Sequence, residues 1–300
     1  MIARRNCFLV FLLLIGCGRS SNIQSDLFEP GRIAGVLDSP KIDEASGMAA
    51  SHMNPGMLWT HNDSGDKARI FLIDTLGRHR ATVWLGGAVN RDWEDIAVGP
   101  GPERDKTYVY VGDIGDNLAK YEYKYIYRFQ EPVIPIQDTT IDLEQVDSIK
   151  FTLPDGIRDC EALMIDPDTK DLYIFSKREA AVNLYRLPYP QSTSEIMVAE
   201  KVLEALPFTL IVAADWSADG AEILLKDYEQ VYYWRRKNNE AITELLQAPP
   251  VVLPYHQEPQ GESIAFDYHG KGYFTLSEKA KGVKPTLMFY QRIAHRTKNQ

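Results

Sequence analysis

EDIAVG, residues 94–99, is one of five short segments built on a single template: a residue that is usually Glu, a small or apolar run, then a turn. The others are SGMAAS from Ser46, EALMID from Glu161, VAADWS from Val212 and ESIAFD from Glu262. Their first positions lie 48, 67, 51 and 50 residues apart. That period is expected when each unit is one four-stranded blade of a β-propeller.

The stretches that follow each segment support this reading. Second extended runs come at 57–62 (MLWTHN), 107–112 (TYVYVG), 172–177 (LYIFSK), 222–227 (EILLKD) and 272–277 (GYFTLS). Third runs come at 69–74 (RIFLID), 123–129 (YKYIYRF), 182–187 (VNLYRL), 230–236 (QVYYWRR) and 286–292 (TLMFYQR). They are rich in Tyr, Phe, Val and Ile, and Gly- or Pro-containing turns separate them. Fourth strands are expected at 80–87, 147–153, 196–203 and 241–248. Helix-like patches such as AEKVLEAL at 199–206 are too short to build a core.

The fifth unit runs out of chain soon after Arg292, so RIAGVLDS at 32–39 is expected to supply its outer strand and close the ring. The fold class is therefore all-β, a five-bladed propeller closed by the N-terminal strand, with six blades as the alternative. Residues 32–294 form a single domain, of a size normal for one closed β architecture, and 295–300 a polar tail.

Residues 1–16 read as an export signal, with Arg4 and Arg5 preceding the apolar run CFLVFLLLIG. The run is too short for a comfortable membrane span. Leu14-Ile15-Gly16-Cys17 looks like a bacterial lipobox, with Cys17 lipidated and residues 17–31 forming a polar tether; an uncleaved anchor or a plain secretory signal is the alternative. Gly18 after the cysteine favours the outer membrane over the inner. Removing Arg4 and Arg5 with the leader takes the net charge from −9 to −11, which argues against a nucleic-acid partner. Of three cysteines, Cys7 leaves with the leader and Cys17 carries lipid, so Cys160 is left as a buried, inert thiol with no disulfide partner. A monomer is expected.

Propeller geometry turns the repeat into a site. The first strand of each blade lines the tunnel and the second runs antiparallel to it, so the start of one and the end of the other share a face. Ser46, Glu94, Glu161, Val212 and Glu262 should then ring the axis, with Asn62, Asp63, Asp113, Asp116, Asn117, Lys177, Arg178, Lys226, Asp227, Ser277 and Glu278 crowding the mouth. Three carboxylates facing one another repel, so either a cation binds or one Glu takes up a proton. An all-oxygen ring of Ser46, Glu94, Glu161 and Glu262 favours Ca²⁺. The competing reading pairs these acids with Lys or Arg.

The layout resembles calcium-activated nucleotidases of the apyrase type, five-bladed propellers in which a Ser-Glu-Glu-Ser-Glu ring holds a central Ca²⁺. The corresponding series here is Ser46, Glu94, Glu161, Val212, Glu262, and Val212 removes one oxygen. HNDSG (61–65), DWEDIAV (92–98), YVGDIGDN (110–117) and FSKREA (175–180) fall where that family has tunnel and mouth residues. The chain is also similar to SdiA-regulated and esterase-like phytase propellers, and to bacterial lipoproteins with the same DSG, DWEDIA and GDIGDN signatures. The resemblance implies a Ca²⁺-dependent hydrolase of phosphoesters or esters. Independently, Lys177, Arg178 and Lys226 could clamp an anionic small molecule, with Asp63 or Asp113 positioning a water. The second class is a non-catalytic propeller that binds a ligand or protein over the same face. No Gly-x-Ser-x-Gly elbow, His-Glu-x-x-His or phosphate-binding Gly loop is present, and His61, Asp63 and Ser64 are too close in sequence to form a triad.

Overall fold

The computed structural model describes residues 26–135, 139–237, 240–280 and 282–294. The expected leader, Cys17, the tether as far as residue 25 and the tail 295–300 lie outside the described residues.

The chain opens with β1 (Arg32–Val36) and then builds one small sheet after another. Blade 1 is β2 (Ala45–Ala50), β3 (Met57–Asn62), β4 (Arg69–Asp74) and β5 (His79–Leu85). Blade 2 is β6 (Trp93–Pro100), β7 (Thr107–Asp113), β8 (Lys124–Gln130) and, after β9 (Thr139–Leu143), β10 (Asp147–Thr152). Blade 3 is β11 (Cys160–Ile165), β12 (Leu172–Ser176), β13 (Val182–Leu187) and, after β14 (Met197–Val198), β15 (Glu200–Leu206). Blade 4 is β16 (Ala213–Trp216), β17 (Glu222–Lys226), β18 (Val231–Arg235) and, past the helical turn α1 (Ile242–Leu245), β19 (Val251–Leu253). Blade 5 is β20 (Gly261–Phe266), β21 (Gly272–Ser277) and β22 (Thr286–Gln291), completed by β1.

The protein is thus an all-β, five-bladed propeller, not a six-bladed one. β1 pairs antiparallel with β22, Arg32 opposite Phe289 and Val36 opposite Thr286, so the first strand closes the ring. The closing segment begins before Arg32: Glu29 donates its amide to Gln291 at 2.8 Å, and buried Phe28 packs edge-on against Tyr273 at 5.0 Å.

Each inner strand alternates its side chains between two neighbouring blades. On β11, Leu163 packs toward blade 2 while Ala162 and Met164 pack toward blade 4. Both faces are therefore apolar, which is why these strands read as short continuous hydrophobic runs. The core accordingly falls into five clusters, one per interface between adjacent blades. Trp59 and Trp93 are buried between blades 1 and 2, Trp216 and Trp234 between blades 3 and 4.

Two expectations are corrected. The segment 241–248 is not the outer strand of blade 4: Ile242, Leu245 and Leu246 bury on the α1 turn, and β19 takes the edge. The spacing 242, 245, 246 is helical, which outweighs its superficial alternation. The fourth strand expected at 196–203 lies further along, at β15, where pairing with β13 overrides the helix-like pattern of 199–206.

Two rim strands cross between blades, β9 with no sequence signature and β14 from within the strand expected at 196–203. β9 leaves blade 2 to pair parallel with β5 of blade 1, and β14 leaves blade 3 to pair parallel with β10 of blade 2.

Candidate metal centre at the tunnel mouth

The template glutamates are β-bulges. Pairing between the first two strands skips one residue in blades 2, 3 and 5, and the skipped residues are Glu94, Glu161 and Glu262. A bulge kinks its strand and re-aims the extra side chain, here out of the inter-blade packing and toward the mouth. In blade 1 the skip falls at Gly47, whose φ of 69° a side chain would resist. Blade 4, which has Val212 in place of an acid, pairs without a shift.

Glu94 stands at the centre of what results. One of its oxygens lies within 4.8 Å of ligand atoms on Asp63 and Asp92, and one within the same span of Asp159 and Glu161. All but Asp63 and Asp92 are buried to at least nine-tenths. Burial first, then the charges of Glu161 and Asp63, push the Glu94 carboxyl well above its usual range. Glu161 is pushed up to about 8 by burial, although Lys177 pulls it back. Lys177 Nζ sits 2.7 Å from Glu161 Oε2 and favours the ionised form of Glu161 against its burial, so Glu94 and Glu161 titrate as a pair. Among the described residues no Lys or Arg forms an ion pair with Glu94, Asp63 or Asp92.

The space for this cluster is made by Gly115. A Cβ there would lie 2.0 Å from Glu94 Oε1 and 2.6 Å from Asp92 Oδ2, so the GDIGDN turn wraps the two carboxylates with bare backbone. An all-oxygen, acid-rich set closed around one buried glutamate fits a hard divalent cation. Such a cation would be held by Glu94 with Asp63 and Asp92 on one side, or with Asp159 and Glu161 on the other.

Glu262 joins this face from blade 5, taking the Tyr228 hydroxyl as its donor. It adds to the burial that raises Glu278 to about 8 and to that which raises Asp63 to about 6. Lys177 also lies over the Tyr228 ring, 5.4 Å from its centroid. Burial opposes its charge, but Glu161 and Tyr228 outweigh that and hold the ammonium protonated.

Other expected site residues have different occupations. Ser46 Oγ donates to the Glu94 carbonyl at 2.9 Å, tying blade 1 to blade 2. Asp113 accepts the Asp92 amide at 2.9 Å and faces Arg91 at 3.5 Å, so it positions the DWED segment instead of a water. Burial still raises it to about 6. Arg178 is bound to Asp159 at 2.5 Å. Lys226 is fully buried beside Asp227, donates to the Asp227 and Gly261 carbonyls, and is lowered to about 8 by burial. It is interior, and no clamp for a ligand at the mouth. Asp116 accepts the Lys120 and Tyr121 amides at 2.7 Å and its own amide reaches Asp159. Asn62 spends its amide group on Lys41 and Asp66, Asn117 is exposed on the rim, and Ser277 is buried. Val212 is buried, its amide bonded to Lys226. Cys160 is buried and unpaired, its thiol pushed up to about 12 by burial.

Sequence reading passed over Asp92 and Asp159. Each stands two residues before a bulged glutamate, in Asp92-Trp93-Glu94 and Asp159-Cys160-Glu161, and that shared spacing is the pattern that could have revealed them. It also passed over Asp95, whose carboxylate accepts the amides of Ile96, Leu163 and Ala214 and so links three inner strands. Asp215 does the same toward Phe266 at 2.7 Å.

No family model matches the chain, and no curated protein matches it. Among solved structures it is similar to the PQQ-bound form of an aldose sugar dehydrogenase from Streptomyces coelicolor. The two share 11% identity with a TM-score of 0.46, over 87% of this chain and 98% of that one. So distant a likeness says nothing of cofactor or substrate here.

Proposed function

We propose that this protein is a lipid-anchored, extracytoplasmic propeller that holds Ca²⁺ at the acidic mouth and through it engages an anionic phosphoester or related ester for hydrolysis. The observation that carries the reading is Glu94, buried, shared by two carboxylate groups and without an ion-paired cation among the described residues. Burying such a group without compensation is costly, and a divalent ion relieves it. The motif resemblance to calcium-activated nucleotidases points the same way.

Bound there, a cation would polarise a phosphoryl or acyl oxygen and acidify a water. The chain's own parts are then narrower than the sequence implied. Asp63, in the same cluster as Glu94, is the carboxylate placed to accept a proton from water, since Asp113 is committed to Arg91 and the Asp92 amide. Arg178, half exposed at the rim, would be a cation for an anion once released from Asp159. Lipid on Cys17 and a polar tether that ends where Leu27 and Phe28 join blade 5 would hold the monomeric ring at the outer membrane.

A second reading, a propeller that binds without turning over, is favoured by one observation. Lys177 and Arg178 are both ion-paired with acids of the cluster, so neither stands ready for substrate. Calorimetric Ca²⁺ titration tests the shared premise, and absence of binding would refute both readings. Nucleoside di- and triphosphates, phytate and aryl esters, assayed with Ca²⁺ and with EGTA, separate them. Ca²⁺-dependent turnover supports the hydrolase, and inactivity on the whole panel supports the binding protein. Loss of acyl labelling in C17S tests the anchor.

A further inference from the structure

Arg178 and Asp159 form an ion pair of unequal halves. The Asp159 side chain is 2% exposed and belongs to the Glu94 cluster, whereas the Arg178 side chain is 49% exposed and its Nε holds Asp159 Oδ2 at 2.5 Å. The other oxygen, Oδ1, accepts the Asp116 amide at 2.7 Å. Both Asp159 oxygens are thus engaged, and a metal ion drawn to Glu94, Asp159 and Glu161 competes with Arg178 for this carboxylate.

The displaced guanidinium has somewhere to go. A cavity of about 210 Å³ opens between blades 2 and 3, lined by Asp116, Ile157, Arg158, Glu179 and the Arg178–Asp159 pair itself, so a released Arg178 stays on its wall. Arg158 holds Glu179 at 2.8 Å and Asp155 at 3.0 Å, yet its Nε is buried with no hydrogen-bond partner. A buried donor left unpaired is costly, and a ligand oxygen in the cavity would satisfy it. Two guanidinium groups on one small cavity, one unsatisfied and one released, make a site for a doubly charged oxyanion.

We propose that Asp159 is an exchange point. Cation binding at the mouth takes the carboxylate from Arg178, and the freed Arg178 joins Arg158 to hold a phosphoryl group in the adjacent cavity. This rests on the metal reading above and adds an order to it: the metal creates the anion site, and by linkage the anion tightens the metal. Arg178 thus acts as an internal counter-ion until the metal arrives, and as a ligand clamp afterwards.

The probe is phenylphosphonate, a non-hydrolysable phosphoryl oxyanion, with benzoate as a singly charged comparison. Ca²⁺ affinity, measured by calorimetry, should rise about fivefold or more with saturating phenylphosphonate and less with benzoate. In R178Q, Ca²⁺ alone should bind more tightly than in the parent protein, because its competitor is gone, and phenylphosphonate should no longer alter the affinity. Circular dichroism and the melting temperature show whether R178Q is folded, and R178K, which keeps the charge, gives an intermediate coupling. Ca²⁺ binding that is indifferent to phenylphosphonate, or unchanged in R178Q, overturns the exchange while leaving the metal site standing. Failure of the parent protein to bind Ca²⁺ at all removes the metal site and the exchange together.

Discussion

The carboxylate of Asp95 accepts the amide of Ala214 at 3.3 Å, although 119 residues separate them in the chain. The same oxygen takes the Leu163 amide at 2.9 Å, so one side chain on β6 holds β11 and β16 at the axis. D95A strands both amides in a buried environment. Its expected cost is about 2–6 kcal/mol, at the usual 1–3 kcal/mol for each of the two unsatisfied groups. Urea denaturation measures it, and a loss of under about half a kilocalorie would show that the axis is held by inter-blade packing alone.

E94Q removes the charge that binds the cation but keeps the size. Without Ca²⁺ the variant should be at least as stable as the parent, because a buried acid has been replaced by a neutral amide. Added Ca²⁺ should raise the melting temperature of the parent and leave that of E94Q unmoved. Equal Ca²⁺ responses in the two proteins would place the ion elsewhere.

G115A tests the same cluster from its other wall. The new methyl would fall 2.0 Å from Glu94 Oε1, so Glu94 must turn away. The Gly115 backbone is not in the left-handed region, so the fold should tolerate alanine. Ca²⁺ affinity should drop about tenfold or more while the far-ultraviolet dichroism is unchanged. Undiminished affinity would mean that Glu94 is not a ligand.

Glu161 and Glu278 are both raised to about 8 from an ordinary 4.5, first by burial. Acids with raised values in the folded state bind protons that the unfolded chain has already released. Stability of the metal-free protein should therefore be greatest near and below 4.5 with respect to these groups, and fall as pH climbs through about 8. Protons compete with the cation for the same oxygens, so the stabilisation given by Ca²⁺ should grow over the same window. Chemical denaturation across that range, with EGTA and with Ca²⁺, follows both slopes. Metal-free stability that rises steadily with pH would contradict the assignment.

Truncating the chain to begin at Pro40 removes β1 and Phe28, and with them the outer edge of blade 5 and part of the core between blades 4 and 5. The melting temperature should fall by about 10 °C or more. An unchanged melting temperature would mean that ring closure contributes little.

How much of this was legible in the sequence depends on how local the cause was. The inner strands were readable because burial on both faces writes a continuous apolar run beside a recurring glutamate. That those glutamates are bulges was not, since a skipped residue shows only in the pairing of two strands. Asp92 and Asp159 were in view as part of a repeated spacing, but turn-forming acids are common and nothing local sets these apart. Lys226 looked like a mouth residue because it ends a second strand, yet strand alternation sends it inward to the Gly261 carbonyl. The partner of β9 lies more than fifty residues back along the chain, beyond any window of local pattern.

The two rim strands change how the ring comes apart. β9, which comes from blade 2, adds to the edge of blade 1, and β14, which comes from blade 3, adds to the edge of blade 2. Neither of the first two blades can peel from its neighbour without breaking a parallel ladder contributed by the next. The first three repeats therefore behave as one cooperative unfolding unit and not as modules that melt singly, as the blocks of an open solenoid can. Blades 4 and 5 exchange no such strand and are joined by packing, by the Asp215 bridge to Phe266 and by the returning N-terminal strand.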